Sequence, residues 1–203
     1  MRELLVATKN KKKLEEIKAI LKGVGLKISS LADYAKTPKI VENGKTFKAN
    51  AIKKAITIAR FSRKLTLGED SGLCIDVLGG APGIRSSRFS GKDKSDAKNN
   101  TKVLKLLGNL PLKKRKAHYT CAVALADESG LIGLVEGKCY GLIGFSLKGQ
   151  HGFGYDPLFV IPKYKKTFAE LGERIKHKMS HRYRALKKAK KIIQKYIEQS
   201  ASS

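Results

Sequence analysis

The sequence predicts an α/β protein built on a mixed, partly antiparallel sheet. Three observations predict it. The chain opens with a short apolar strand, a tight turn and an amphipathic helix; two alternating runs joined by Asp-Glu-Ser-Gly at 127–130 form a hairpin; and helical periodicity returns in three later segments.

Taken in order, Leu4-Leu5-Val6-Ala7 is an apolar run read as a buried strand within the strand-like stretch Met1 to Thr8. Leu14, Ile17, Leu21 and Val24 then recur at helical spacing until Gly23 and Gly25 break the pattern. A second helix starts at about Thr46, a good N-cap, with Phe47, Ala51, Ala55 and Ile58 on one face. Thr66 to Leu78 reads as strands broken by a turn at Glu69-Asp70-Ser71-Gly72, and a further helix fits Ser95 to Leu107, stopped by Gly108 and Pro111. Ala117, Tyr119, Cys121, Val123 and Leu125 alternate with smaller or polar residues, and the second arm of the hairpin runs from Leu131. The glycine-rich stretch Gly141 to Pro157 reads as loop or strand edge. The last helix carries Ala185, Leu186, Ala189, Ile192, Ile193, Tyr196 and Ile197 as its apolar stripe. No internal repeat or disordered linker interrupts the chain, and residues 1–203 are long enough for one large domain or two tightly packed lobes, the expectation being a single domain of two lobes.

With 203 residues, 41% of them apolar, the chain can bury a core without staples. Cys74, Cys121 and Cys139 are odd in number and form no CxxC pair, which argues against a disulfide framework and for a reducing compartment, with cytoplasm as the expected location. No apolar run approaches the ~18 to 20 residues that span a bilayer, and the start lacks a signal-peptide core, so no membrane partner is expected. The formal charge is +26, with 43 Lys+Arg against 17 Asp+Glu. Such a field attracts polyanions, and nucleotides and nucleic acids both qualify. Residues 163–203 hold 13 Lys+Arg against 3 acids, which motivates a basic nucleic-acid-binding reading. The lysines of the last helix, however, lie mostly opposite its apolar stripe, as on any solvated helix, so no specific nucleic-acid partner is expected.

Three stretches could carry chemistry. Thr8-Lys9-Asn10-Lys11-Lys12-Lys13 lies where a strand ends and a helix begins, a place whose unpaired N–H groups suit phosphate oxygens. The same residues also fit an N-cap followed by solvated lysines, and no Walker A loop is present. Glu42 and the Glu69-Asp70 pair offer the hard oxygen ligands that Mg²⁺ takes, and a neighbouring carboxylate can orient or deprotonate water; Glu69-Asp70 alone also fits an ordinary acidic turn. Phe153-Gly154-Tyr155-Asp156-Pro157, with Lys176, Ser180, His181 and Arg182 beyond, combines stacking rings, close backbone approach and donors for base oxygens. Equally, Ser180 could cap the last helix and leave His181 and Arg182 as its solvated first turn.

In combination and in this order, these stretches resemble the inosine triphosphate pyrophosphatase family, also called XTP/dITP diphosphatases. The resemblance runs from Leu5 to about Arg184 through ATKNKKK, ENGKTFKANA, EDSGL, GAPGIRSSRFSG, GFGYDPLF, FAEL and SHR. It implies an elongated two-lobed α/β fold around a long mixed β-sheet with helices on both sides and a central substrate cleft, usually as a homodimer. It also implies a substrate, a purine nucleoside triphosphate with a 6-keto base such as ITP, dITP or XTP, and Mg²⁺ as cofactor. By position, Thr8, Lys9, Asn10, Lys11, Lys12 and Lys13 would contact the triphosphate with Lys54 nearby; Glu42 and Asp70 would hold the metal, Asp70 also activating water; and Ser71 would bind substrate. Phe153, Gly154, Tyr155, Asp156, Lys176, His181 and Arg182 match the base-recognition positions. A pyrophosphatase for modified pyrimidine triphosphates is the alternative within the same chemistry, and the SHR segment favours purines by resemblance. Two departures stand out: Lys9 replaces the family's usual glycine, and Glu69 replaces a common aspartate. Lysine there either occupies an ordinary conformation with its ammonium along the triphosphate or bears strain, and the first is expected because a turn beside a polyanion suits a cation.

Overall fold

The computed structural model describes residues 3–199, so Met1 and Arg2, at the head of the expected strand-like stretch, and residues 200–203 lie outside the described residues. Among the described residues there are seven strands and five α-helices, alternating through the first three of each and then grouped as four strands followed by two helices. They are β1 (Glu3–Val6), α1 (Lys11–Ile20), β2 (Lys27–Ser30), α2 (Phe47–Ser62), β3 (Thr66–Ile75), α3 (Asp96–Leu107), β4 (Lys116–Asp127), β5 (Gly130–Ile143), β6 (Phe159–Ile161), β7 (Lys166–Thr167), α4 (Phe168–Met179) and α5 (His181–Gln199). The strands form one mixed sheet in the order β2-β1-β3-β4-β5-β6-β7. β1 pairs in parallel with β2 and β3, while β5–β6 and β6–β7 are antiparallel. The mixed α/β class read from the sequence is therefore correct.

The chain forms two compact units, and β3, β4 and β5 contribute residues to both. The first comprises residues 1–70, 121–137 and 182–203. Here the sheet is covered on both faces, as the alternation of buried residues requires. Leu4 and Val6 of β1, with Cys121, Val123 and Leu125 of β4, pack against α1 and α5. Leu5 and Ala7 point the other way toward Ile58 of α2, and Ala122, Ala124 and Ala126 meet Ala51, Ala55 and Ala59 of the same helix. Alanine against alanine brings α2 close to the sheet. At Gly68 the approach is closest: a Cβ there would lie 2.2 Å from the Ala51 carbonyl oxygen, so only glycine fits. The second unit comprises residues 71–120 and 138–181, and its core joins Leu73 and Ile75 of β3, Val103 and Leu107 of α3, Tyr119 of β4 and the stacked rings of Phe159 and Phe168.

Local signals placed the helix starts well. Thr46 caps α2 by accepting from Ala49 N–H, and Ser95 caps α3 by accepting from Lys98 N–H. One expectation is corrected and one alternative reading is set aside. Glu69-Asp70-Ser71-Gly72 is no turn: β3 runs unbroken from Thr66 to Ile75, because α2 covers it and neighbouring strands take its backbone bonds. The stretch from Gly141, read as loop or strand edge, begins as the last residues of β5, which continues to Ile143. The His181-Arg182 pair is not a solvated first turn, being only 4% and 2% exposed.

Candidate functional site

In the first unit the turn between β1 and α1 is shaped by its own side chains. Thr8 Oγ1 accepts from Asn10 N–H at 3.1 Å, and Asn10, the N-cap of α1, accepts from Lys13 N–H at 3.1 Å. Lys9, Lys11 and Lys12 are exposed, while Lys13 is half-buried. Among the described residues the non-glycine positions with positive φ are Arg63, Lys94 and Lys165, so Lys9 occupies an ordinary backbone conformation and bears no left-handed strain.

Successive strand residues point to opposite faces, and this divides Glu69 from Asp70. Asp70 turns toward α2, whose Asn50 and Lys54 stand four residues apart on one helix face. Asn50 Nδ2 donates to Asp70 Oδ2 at 3.0 Å, and Lys54 Nζ reaches Asp70 Oδ1 at 3.2 Å, Glu42 Oε2 at 2.9 Å and the Glu69 carbonyl at 3.1 Å. Asn50 Oδ1 also accepts from Gly44 N–H at 2.8 Å, tying the segment after Glu42 to the same helix. Burial drives the Asp70 carboxyl above its ordinary range, more strongly than the Lys54 and Lys13 ammoniums and the Asn50 amide pull it down. Burial acts to lower Lys54 as well, but Asp70 and Glu42 outweigh it and hold the ammonium protonated. One cation thus serves more than one carboxylate, and Asp70 is left a buried base that is ionised at some cost.

Glu69 turns the other way. Its carboxylate takes Lys13 Nζ at 2.8 Å, Arg182 Nη2 at 3.1 Å and the Cys121 thiol at 3.3 Å, and Arg182 Nη1 is also paired with Glu16 of α1. Burial opposes the charge on Arg182, yet Glu69 and Glu16 together raise its pKa, while burial and then Glu69 push the Cys121 thiol up, so that it stays protonated. Asn50, Glu16 and Cys121 were not singled out from the sequence. Asn50 lay inside the ENGKTFKANA stretch one turn before Lys54 and could have been found from that spacing; nothing local marks the other two.

The second unit holds the aromatic turn. Asp156 Oδ2 accepts from Phe153 N–H at 2.9 Å and from Lys176 Nζ at 2.6 Å, and the same ammonium lies 4.6 Å from the Phe153 ring centroid. Asp156 and Lys176 are each 2% exposed. The Tyr155 hydroxyl donates to the Ser86 carbonyl at 2.7 Å; burial, aided by the charge of Asp96, raises it so far that it stays protonated. Tyr155 is thereby fixed by its hydroxyl as well as its ring. His181 stacks on Tyr119 with centroids 4.5 Å apart and planes within 10°. Ser71 follows Asp70 on β3 and is half-buried.

The structure thus gathers two groups of ion pairs in one unit, Lys13 and Arg182 on Glu69 and Lys54 on Glu42 and Asp70, joined by the Lys54 hydrogen bond to the Glu69 carbonyl, and it joins Phe153, Asp156 and Lys176 in the second unit. Among the described residues no group of three His, Cys, Asp or Glu forms a metal cage, and no helix is long and apolar enough to cross a membrane.

Comparison with known proteins places these features in context. The model of the Ham1 family matches residues 4–192. A dITP/XTP pyrophosphatase of Desulforamulus reducens is 46% identical over 198 residues, 97% of this chain and 98% of that one. Another, from Halalkalibacterium halodurans, is 47% identical over 193 residues, covering 95% and 100%. The solved structure of a HAM1 protein from Coxiella burnetii superimposes with a TM-score of 0.87 at 35% identity, covering 96% of this chain and 100% of that one.

Proposed function

The chain belongs to the Ham1 family, and from that premise we propose that it is a nucleoside-triphosphate pyrophosphatase that converts ITP, dITP and XTP to the monophosphate and pyrophosphate, removing deaminated purines from the nucleotide pool. The observation that carries the reading is the buried Asp70 carboxylate, raised by burial and flanked by Lys54 and Asn50, in a chain whose full-length relatives are dITP/XTP pyrophosphatases.

Asp70 and Glu42 converge on one ammonium, and two convergent carboxylates fit Mg²⁺, which is commonly held by one or two carboxylates together with water and substrate phosphates. Bound there, Mg²⁺ would supply Lewis-acid polarisation of phosphate oxygens. This chain's own groups do the rest. Asp70 takes a proton from water as the water oxygen bonds to the α-phosphorus; the bond from that phosphorus to the α,β-bridging oxygen breaks, and pyrophosphate leaves with that oxygen. Lys13, the N–H groups at the start of α1 and the exposed Lys9, Lys11 and Lys12 offset the triphosphate charge. Phe153 offers a stacking face, and Lys176, His181 and Arg182 offer donors for a 6-keto oxygen, Arg182 fixed in its plane by Glu16 and Glu69. A 6-amino group would meet such donors with hydrogens, and each buried donor left unpaired costs about 1 to 3 kcal/mol, enough over several contacts to reject ATP.

The proposal extends to action in the cytoplasm and as a homodimer. The basic surface draws anionic partners without base selectivity, so any nucleic-acid binding is weak and falls steeply with salt. Pyrophosphate release across ITP, dITP, XTP, ATP, CTP and modified pyrimidine triphosphates, with and without Mg²⁺, tests the reading. We expect selective turnover of the first three; equal kcat/KM for ITP and ATP would overturn it.

A further inference from the structure

The aromatic turn is gripped from a direction that the proposed reaction does not use. Asp96 and Asn100 stand four residues apart on α3 and therefore share a face. Asp96 Oδ2 accepts from Gly154 N–H at 2.8 Å, and Asn100 Nδ2 donates to the Gly154 carbonyl at 2.9 Å. The pair thus holds Gly154 at both of its backbone polar groups, and so fixes the two peptides that flank its Cα. Gly154 has φ +64°, and a Cβ there would meet nothing within 4 Å, so glycine serves the backbone angle and not the space. Such a residue is where a turn most readily changes conformation, and its neighbours on each side carry the Phe153 and Tyr155 rings. Asn100 is 4% exposed, and its own Oδ1 is buried without a hydrogen-bond partner. A buried acceptor left unmatched is costly, so the amide is oriented by its hold on Gly154 and by no partner of its oxygen.

We propose that Asp96 and Asn100 are positioning residues for base recognition: they lock the Gly154 backbone so that Phe153 keeps its N–H on Asp156 and its ring against Lys176. The inference rests on the reading that this turn receives the purine. Without the lock the turn relaxes among several conformations, and base affinity falls by the fraction of time spent outside the competent one. Phosphate binding and the chemical step are untouched.

The test uses Asn100→Ala, Asp96→Ala and the conservative Asp96→Asn, which keeps an oxygen acceptor. Three quantities are measured on the full chain: kcat and KM for ITP with Mg²⁺, the inhibition constant of inorganic tripolyphosphate, which has no base, and amide hydrogen exchange in residues 152–156. For both alanine variants we expect KM to rise roughly tenfold, equivalent to about 1.4 kcal/mol, with kcat within about twofold. Tripolyphosphate inhibition should be unchanged and exchange in the turn faster, while Asp96→Asn stays near the parent. A KM rise matched by weaker tripolyphosphate inhibition, a parallel fall in kcat, or unaltered exchange would overturn the proposal. Should the parent protein itself fail to hydrolyse ITP, the reaction reading falls separately, and the exchange data still decide whether the pair holds the turn.

Discussion

The carboxylates at the middle of β3 and the aromatic turn at Phe153–Asp156 are organised on opposite plans. Glu69 and Asp70 are adjacent in sequence, yet their partners come from Lys13, Asn50, Lys54, Cys121 and Arg182, spread over most of the chain. The aromatic turn closes largely on itself, through Phe153 N–H to Asp156, and needs Asp96, Asn100 and Lys176 only to hold the closed loop. The difference follows from charge. Buried carboxylates need cations, and in a strand each must find its partners on its own face, whereas the turn supplies one of the Asp156 donors from its own backbone and takes the Lys176 cation from outside.

The largest effect that would sharpen this comparison is on Asp70. Asp70→Asn should lower kcat for ITP by roughly a thousandfold, the scale of a positioned acid–base group, without lowering the thermal midpoint. The sign follows from its raised pKa: a carboxyl that holds its proton more tightly in the folded state destabilises the fold once ionised, above that pKa, so removing the charge costs nothing by this route at neutral pH. Turnover near that of the parent would reduce Asp70 to a structural strand residue.

Arg182 comes next. Arg182→Leu removes the guanidinium that the buried Glu16 and Glu69 share, Glu69 keeping its pair with Lys13, and the loss of unfolding free energy should be about 3 to 5 kcal/mol in a denaturant titration. A loss under ~1 kcal/mol, the value of an exposed pair, would mean that water reaches the cluster and that its carboxylates do not depend on cations from distant segments.

A smaller effect is expected in the pH profile. Activity needs ionised Asp70, so the acid limb of kcat should lie above the ordinary aspartate value of about 4 and turnover should vanish as pH falls through it. Lys54→Met removes a charge that lowers the Asp70 pKa, and the limb measured on the residual activity should move to still higher pH. An unmoved limb would assign the titration to another group.

The smallest effect concerns Lys9. Its backbone is unstrained, so Lys9→Gly should leave kcat and the thermal midpoint nearly unchanged while raising KM about two- to threefold, as expected for an exposed charge that acts on ground and transition states alike. An unchanged KM would remove Lys9 from the triphosphate site.

The fold was legible wherever the signal is local. Leu4–Ala7, the caps Thr46 and Ser95, the hairpin around Asp127–Gly130 and the stripe of α5 rest on hydrogen bonds or periodicities within a few residues. β2, β6 and β7 have four, three and two residues, too few to display a period, and α4 is interrupted by Gly172 at φ +73°. The contiguous candidates at 8–13 and 153–156 could be read for the same reason. Tertiary structure alone decided that Glu69 and Asp70 lie within a strand and face apart, that His181 and Arg182 are buried, and that Glu16 and Cys121 join Glu69. An acidic pair reads as a turn until a helix covers it, because what determines whether a charge can be buried is the set of cations brought to it from distant parts of the chain.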